Sequence, residues 1–359
     1  MTENNSDNIY LTSMESHDHT ENILKKPTIK QASILYSVSV ILFMVLSNMI
    51  VKIPFGDYYI KGISAEIILV LIPPLVFLTY KKFDIKKVLR LNKISFMNII
   101  LIVCITAFSI PVVGMLNLAN MLIIKLIFGS TNLPQIKIPD IITLIKGFIV
   151  IGMSAALCEE VLFRGVIMRG YEKLGKTKAI LLTAFLFGLM HHDFQRLLGT
   201  FLLGVLMGFL VYRTNSIFGG MVAHFTNNSL VVIMTFVLGK LASMGKAAGL
   251  DAVGGSESDK GISQLLSMPK IQLITTLGVF SLMFICFLAA LIALIYAFIK
   301  NTSEDVDNAT ERLSESKFKG LLWLIPGIAV IGIIYFVQGV SLAGVKIQFL
   351  TNIIKALGL

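Results

Sequence analysis

Charged residues are scarce in this chain: Asp, Glu, Lys and Arg make up 14% of its 359 residues, whereas hydrophobic residues make up 55%. A soluble domain carries about 25% charged residues, so the composition excludes an ordinary soluble domain and favours a membrane protein. Cysteine is also rare, with three residues, all inside apolar stretches. They are better explained as small core residues than as a disulfide framework, and they leave the redox compartment open.

The chain instead contains a series of apolar stretches close to 20 residues long, the length that spans a bilayer. They predict an all-α fold, a polytopic transmembrane helical bundle of about eight or nine spans. One stretch is long for a single helix and contains Pro111, so a kink or a break is expected there. The nine predicted spans are 32–51, 63–80, 95–127, 141–163, 178–192, 197–214, 216–239, 271–299 and 320–340.

The same pattern predicts five regions along the chain. The polar residues 1–30 show no secretory signal peptide and are expected to form a disordered cytoplasmic tail. A glycine- and serine-rich segment, 240–270, is expected to be a flexible extracytoplasmic loop, with a plain linker favoured over a gate for substrate. The remaining regions are the N-terminal spans 31–140, a catalytic core 141–239 and the C-terminal spans 271–359.

The formal net charge of +10 does not indicate nucleic-acid binding, because most of the 31 basic residues fall on alternate connections between spans. That asymmetry follows the positive-inside rule and predicts a cytoplasmic N-terminus. The charge therefore orients an integral, multi-pass protein in the lipid bilayer. A composition rich in Ile, Lys and Asn points to a bacterial plasma membrane.

The core region carries three short polar motifs: Glu159-Glu160-x3-Arg164, Phe187-x3-His191 and His224-x3-Asn228. Each charged residue costs roughly 2.5–3.5 kcal/mol on membrane-insertion scales, so such residues usually mark function. At a rise of 1.5 Å per residue, Glu159, His191 and His224 are expected about 12–20 Å from the cytoplasmic ends of their helices. The three side chains can therefore meet at one depth.

Helical spacing separates the two glutamates. Glu160 and Arg164 are four residues apart and share a helix face, the spacing of an ion pair that stabilises a buried charge. Glu159 points about 100° away, given 3.6 residues per turn, and has no basic partner at helical spacing. An unpaired carboxyl in apolar surroundings is suited to act as a general base near neutral pH.

The histidine motifs allow two interpretations each. His191 is either a satisfied core residue or a member of the site, whereas His192 beside it is expected to have no chemical role. His224 and Asn228 share a helix face and can both donate hydrogen bonds, which suits a developing oxyanion. The alternative is ordinary hydrogen bonding between helices of the bundle.

Two further features are expected to be structural. Gly204 and Gly208 form a small-residue motif that lets helices pack closely. Glu66 and Lys146 are expected near the ends of their spans, within reach of water.

At these three motifs the chain resembles the CAAX-protease and bacteriocin-processing (CPBP, or ABI) family of intramembrane endopeptidases, and within it the type 2 CAAX prenyl proteases. The patterns EExxxR, FxxxH and HxxxN match in order, spacing and membrane setting, over roughly 141–239. The resemblance implies a polytopic helical enzyme that cleaves peptide bonds in a chamber open toward the cytoplasm.

Carried over to this chain, the resemblance implies that Glu159 is the base, with His191 helping to hold and activate water. His224 and Asn228 would stabilise the oxyanion. The supporting residues would be Glu160, Arg164 and Phe187. No motif residue departs from the family pattern.

A metal centre is the alternative chemistry. Glu159, His191 and His224 could bind a zinc ion and leave one position open for water. However, the HExxH arrangement is absent and asparagine is a poor zinc ligand, so glutamate-activated water without a metal is favoured and no cofactor is expected.

The expected partners are the bilayer and a membrane-associated peptide or protein substrate. A bacterial source makes a prenylated substrate less expected.

Two other functions remain open from the sequence. Buried Glu, His and Arg also build ion pathways, so a proton-coupled secondary transporter is one alternative, although no internal repeat is apparent. A non-catalytic immunity or scaffold protein on the same fold is the other.

Overall fold

A computed structural model describes residues 25–54, 56–133, 136–247, 258–302 and 315–345. Within these residues the chain is helical and contains no strand, so the predicted all-α fold is confirmed. Most of the predicted tail, residues 1–24, lies outside the described residues, and residues 29–30 already belong to the first helix.

We number the helices of the described segments in chain order. Eight helical stretches of the described segments are long and apolar enough to cross a membrane, judged by length and composition. The last of them begins at Phe318, in the 3₁₀-helical residues that precede α11. This count confirms the predicted eight or nine spans; of the nine predicted stretches, 178–192 does not qualify because α6 is only 14 residues long. The bounds are α1 Ile29–Lys52, α2 Tyr58–Tyr80, α3 Ile85–Val88, α4 Phe96–Phe128, α5 Ile141–Leu174, α6 Lys176–Leu189, α7 Leu197–Thr214, α8 Ile217–Ala247, α9 Ser258–Ser267, α10 Lys270–Asn301 and α11 Ile325–Leu342.

Side-chain caps set the starts of α2 and α5. The carboxylate of Asp57 accepts hydrogen bonds from the backbone amides of Tyr59 and Ile60, at 3.1 and 3.0 Å. Asp140 does the same for Thr143 at 2.8 Å. Such caps satisfy amides that have no partner inside the helix. Helix α2 therefore begins at Tyr58, five residues before the span predicted from hydrophobicity alone.

The proline in α4 does not break the helix. Helix α4 continues from Phe96 to Phe128 with Pro111 inside it, so the predicted break does not occur. The same helix ends at Gly129, which adopts the left-handed φ of 82° that favours glycine.

Two helices contain π-helical segments. In α2 the segment is Glu66–Leu71, and in α5 the segments are Phe148–Ser154 and Val161–Ile167. The two segments in α5 flank Ala155–Glu160, which carries both motif glutamates. Segments of this kind widen the helix locally, free some backbone carbonyls and occur often at functional sites.

Small residues bring α7 against α6, as the glycine motif predicted. A β-carbon on Gly204 would meet Ala184 at 3.1 Å, and one on Gly208 would meet Ile180 at 3.1 Å. The same close approach occurs between α5 and α1, where Gly170 lies against Ala32. These contacts surround a buried core formed largely by α1, α2, α5 and α6.

The segment predicted as a loop at 240–270 is helical at both of its ends. Helix α8 continues to Ala247, and α9 occupies Ser258–Ser267; residues 248–257 lie outside the described part. The carboxylate of Asp259 pairs with Lys125 of α4 at 2.7 Å, and Ile262 is buried against α4. Because α9 is tied to α4 in this way, it is a packed element and not a linker.

Candidate active site

A buried ion pair forms the base of the candidate site. The Nη1 atom of Arg164 donates to Oε1 of Glu160 at 2.5 Å, and both side chains are fully shielded from solvent. Arg164 also donates through Nη2 to the carbonyl oxygen of Gly204 at 3.1 Å, which ties α5 to α7. The ion pair between Glu160 and Arg164 has the i, i+4 spacing that the sequence indicated.

The same carboxylate reaches a histidine on another helix. Nδ1 of His224 in α8 lies 3.1 Å from Oε1 of Glu160 in α5, and His224 is buried. A carboxylate can only accept, so Nδ1 must carry the hydrogen. The second ring nitrogen, Nε2, then donates only in the imidazolium form and accepts in the neutral form. Glu160 therefore fixes the orientation of the His224 ring.

Glycine makes this approach of α8 to α5 possible. A β-carbon at Gly220 would overlap with Oε2 of Glu160, so only glycine fits at that position. Oε2 is buried and makes no hydrogen bond within the described residues.

The ring of Phe187 lies at the centre of the cluster. The guanidinium carbon of Arg164 is 4.5 Å from the ring centroid, a cation–π distance. The rings of His191 and His224 meet Phe187 edge to face, with centroids 4.9 and 5.8 Å away. One aromatic ring therefore contacts the buried cation and both motif histidines.

His191 lies beyond the end of α6. The predicted span 178–192 ends as a helix at Leu189, and His191 follows in a turn. Its Nδ1 is 3.0 Å from the carbonyl oxygen of Phe187, so Nδ1 is the donor and Nε2 keeps a free lone pair. The His191 side chain is exposed, unlike that of His224.

Glu159 is half-buried and makes no hydrogen bond or ion pair within the part of the chain that the structure describes. The charge of Arg164 acts on it, but the ion pair of Arg164 is with Glu160. The adjacent glutamates thus have different surroundings: Glu160 is enclosed and paired, whereas Glu159 is accessible and unpaired.

Asn228 is anchored next to a π-helical segment. Its Nδ2 donates to the carbonyl oxygen of Ile151 at 2.7 Å, and its Oδ1 accepts from Asn227 at 3.0 Å. One Nδ2 hydrogen remains for another acceptor. Gly152 allows the close approach, because a β-carbon there would meet the Ser229 hydroxyl at 3.0 Å.

The alternative zinc ligands are not assembled. Among the described residues, no three His, Cys, Asp or Glu side chains form a group that could hold a metal ion, so Glu159, His191 and His224 do not converge as zinc ligands do. His192 is buried, and its ring stacks on that of Phe43 with the centroids 5.7 Å apart.

The sequence placed Glu66 near a span end, and the structure corrects this. Glu66 is the ninth residue of the 23-residue span Tyr58–Tyr80, and its Oε2 atom is buried and has no hydrogen-bond partner among the described residues. Lys146, by contrast, does lie near a helix start, where it pairs with Asp57 at 2.5 Å.

These observations define the class of the protein: an integral, multi-pass membrane protein that holds a buried arginine–glutamate–histidine cluster between helices. A family model described as type II CAAX prenyl endopeptidase Rce1-like matches residues 140–230, which contain all three motifs. The predicted family resemblance is therefore confirmed for this part of the chain.

A curated protein of Bacillus subtilis (strain 168), named "Putative membrane peptidase YdiL", is 36% identical over 87 residues. The match covers 24% of this chain and 36% of that relative's length. No solved structure matches the chain.

Proposed function

We propose that this chain is an intramembrane endopeptidase that hydrolyses a peptide bond of a membrane-associated protein or peptide. The observation that carries the proposal is the contact of Glu160 with both Arg164 and His224, inside the segment that matches the family. It joins residues of two separate motifs around one carboxylate. The family model and the name of the bacterial relative both refer to peptidases, which supports this reaction class.

Glu159 activates the water in this proposal. It is accessible and free of hydrogen bonds within the described residues, so its carboxylate can take a proton from a water molecule. Nε2 of His191 can accept the second hydrogen of that water, because Nδ1 is bound to the carbonyl of Phe187. Two acceptors then orient the oxygen for attack on the scissile carbonyl carbon.

His224 and Asn228 stabilise the oxyanion that follows. Nδ2 of Asn228 has one hydrogen left after its bond to Ile151. Nε2 of His224 supplies the second donor when the ring is in its imidazolium form, while Nδ1 stays bonded to the carboxylate of Glu160. Donors held in place before the reaction stabilise developing charge without reorganising.

Glu160, Arg164 and Phe187 hold these groups in position. The chemistry needs no metal in this proposal, and the absence of an assembled ligand set among the described residues supports that choice. The N-terminus is cytoplasmic in this proposal, as the positive-inside rule predicts.

The test is comparative peptide profiling of purified protein in lipid vesicles with membrane-derived peptides. We expect Glu159→Gln to abolish new cleavage products while the protein stays folded. Asp57→Asn is the matched control, because it removes a carboxylate at the accessible start of α2 and should leave cleavage unchanged. Equal products from wild type and Glu159→Gln would contradict the proposal.

The two alternative functions give different results in the same preparation. A scaffold or immunity protein keeps its cellular phenotype in Glu159→Gln. A transporter moves protons across the vesicle membrane and yields no peptide products. Either outcome would replace the peptidase assignment.

A further inference from the structure

Two arginines and a lysine meet at a single carboxylate outside the three motifs. Nη2 of Arg90 lies 2.6 Å from Oε1 of Glu172. Nη1 of Arg169 donates to the same oxygen at 3.0 Å and to Oε2 at 2.8 Å. Nζ of Lys26 donates to Oε2 at 3.2 Å. We call these four residues the Glu172 cluster.

The Glu172 cluster lies where membrane-spanning helices end on the side of the N-terminus. Glu172 is two residues before the end of α5, and Lys26 is three residues before the start of α1. Arg90 lies between α3 and α4, and its carbonyl oxygen accepts from the amide of Ile217, where α8 begins, at 3.1 Å. Glu172 follows Glu160 by 12 residues, about 18 Å along a helix, so the cluster is separate from the candidate active site.

The cluster holds more buried positive charge than its acid can balance. The side chains of Arg90 and Arg169 are 8% and 4% exposed, and each forms its only ion pair among the described residues with Glu172. Two guanidinium groups and one carboxylate leave one positive charge over, before Lys26 is counted. Buried charge is costly unless an opposite charge balances it, so a further anion would stabilise the cluster.

Both arginines have a donor atom available for that anion. Nη1 of Arg90 and Nε of Arg169 are buried and have no hydrogen-bond partner among the described residues. Nε of Arg90 donates to Oδ1 of Asn215 at 2.8 Å, and its guanidinium carbon is 5.2 Å from the ring centroid of Tyr212. These contacts fix the Arg90 side chain in advance. The planar guanidinium group matches the geometry of phosphate oxygens and binds them with charge-assisted hydrogen bonds.

The chain around the cluster is strongly basic. The segments 81–95 and 169–178 contain ten basic residues and two acidic ones. Nζ of Lys176 lies 4.9 Å from the ring centroid of Tyr212, the ring that Arg90 also contacts. Basic residues at the ends of spans attract anionic lipids, and basic pockets between spans bind their headgroups.

We propose that the Glu172 cluster binds the phosphate group of an anionic phospholipid from the leaflet on the side of the N-terminus. Nη1 of Arg90 and Nε of Arg169 donate to the phosphate oxygens. Lys26, whose side chain is 19% exposed, adds charge where the headgroup enters. The position at the ends of the spans favours a lipid over a soluble phosphate ion, because headgroups are concentrated there. The inference does not depend on the proposed peptidase reaction.

The first test counts single lipids on the protein by native mass spectrometry in a neutral detergent. Phosphatidylglycerol should bind more tightly than phosphatidylcholine of the same chain length. Arg169→Gln should weaken phosphatidylglycerol binding about 10-fold, because charge-assisted hydrogen bonds to phosphate are lost. Arg90 still pairs with Glu172 in that variant.

Lys87→Gln is the matched control, since it removes a positive charge from the same end of the bundle. The Lys87 side chain is 66% exposed and pairs with Asp84 at 3.7 Å, away from Glu172. It should bind phosphatidylglycerol as wild type does. Equal affinity for the two lipids, or equal losses in Arg169→Gln and Lys87→Gln, would overturn the proposal.

Glu172→Gln distinguishes a lipid site from a purely structural ion cluster. Without the carboxylate, the two arginines depend on the phosphate for an opposite charge. Phosphatidylglycerol should therefore raise the thermal unfolding temperature of Glu172→Gln more than that of wild type, whereas phosphatidylcholine should raise neither. The same shift in both proteins, or no shift in either, would contradict a phosphate site.

Inorganic phosphate is the probe for a soluble source of the same group. An excess of inorganic phosphate should leave phosphatidylglycerol bound, because the acyl chains remain in the micelle and keep the headgroup at a high local concentration. Displacement of the lipid by an equal concentration of inorganic phosphate would overturn the assignment to a lipid.

Discussion

Gly220 lies directly against the carboxylate of Glu160, so that a β-carbon at position 220 would overlap with Oε2. This relationship joins α8 to α5 and places His224, four residues further along α8, within 3.1 Å of the same carboxylate. The position of His224 therefore depends on the absence of a β-carbon at Gly220.

We therefore expect Gly220→Ala to push α8 away from Glu160 and to lose most of the activity. Overpacking of this kind costs about 1–3 kcal/mol of stability. Thermal unfolding in detergent and peptide cleavage measure the two effects. Gly239→Ala on the same helix is the control, because a β-carbon there meets nothing within 4 Å. A fully active Gly220→Ala would mean that the contact with Glu160 is not required.

The buried pair of Glu160 and Arg164 yields a stability prediction. Arg164→Met leaves the carboxylate of Glu160 without its guanidinium, and breaking a buried pair in this way costs about 3–5 kcal/mol. The double variant Glu160→Leu with Arg164→Met should recover much of that stability but no activity. Unfolding of the single and double variants in detergent measures the coupling. Additive losses would show that the two groups do not depend on one another.

The central ring provides a third prediction. Phe187→Leu removes the face that Arg164 covers and the edges that both histidines meet. The cation–π contact alone is worth about 0.5–2 kcal/mol, and activity should fall further because the histidines lose their support. Phe209→Leu is the control, since Phe209 packs on Phe298 away from the site. Equal activities of the two variants would contradict a positioning role for Phe187.

Metal dependence is a fourth prediction. Because Glu159, His191 and His224 do not form a ligand group, incubation with a chelator and removal of bound metal should leave cleavage unchanged. Metal analysis of the purified protein should likewise find less than one zinc per chain. Loss of activity on chelation, with recovery on adding zinc, would establish the zinc alternative.

Much of the site follows from the sequence because helical spacing is a local property. The pair of Glu160 and Arg164 needs only an i, i+4 separation on one helix. His191 reaches the carbonyl of Phe187 although α6 ends first, since a single turn after the helix keeps the two residues adjacent. The motifs thus identify the contacts within each helix, and the family pattern identifies which helices contribute side chains to the site.

Other features depend on long-range packing and could not be predicted. The contact between His224 and Glu160 spans 64 residues and requires Gly220. The π-helical segments depend on how neighbouring helices pack. Glu66 was misplaced because hydrophobicity alone started its span at residue 63, whereas the cap by Asp57 starts α2 at Tyr58. An aspartate just before an apolar span was the available signal.

Helix α6 is 14 residues long, about 21 Å at 1.5 Å per residue, against a hydrocarbon layer about 30 Å thick. A helix this short next to full-length neighbours creates hydrophobic mismatch, which lipids relieve by thinning around the protein. The bilayer beside α6 should therefore be thinner than average, and acyl-chain length should change the properties of the protein, with short-chain lipids matching it best.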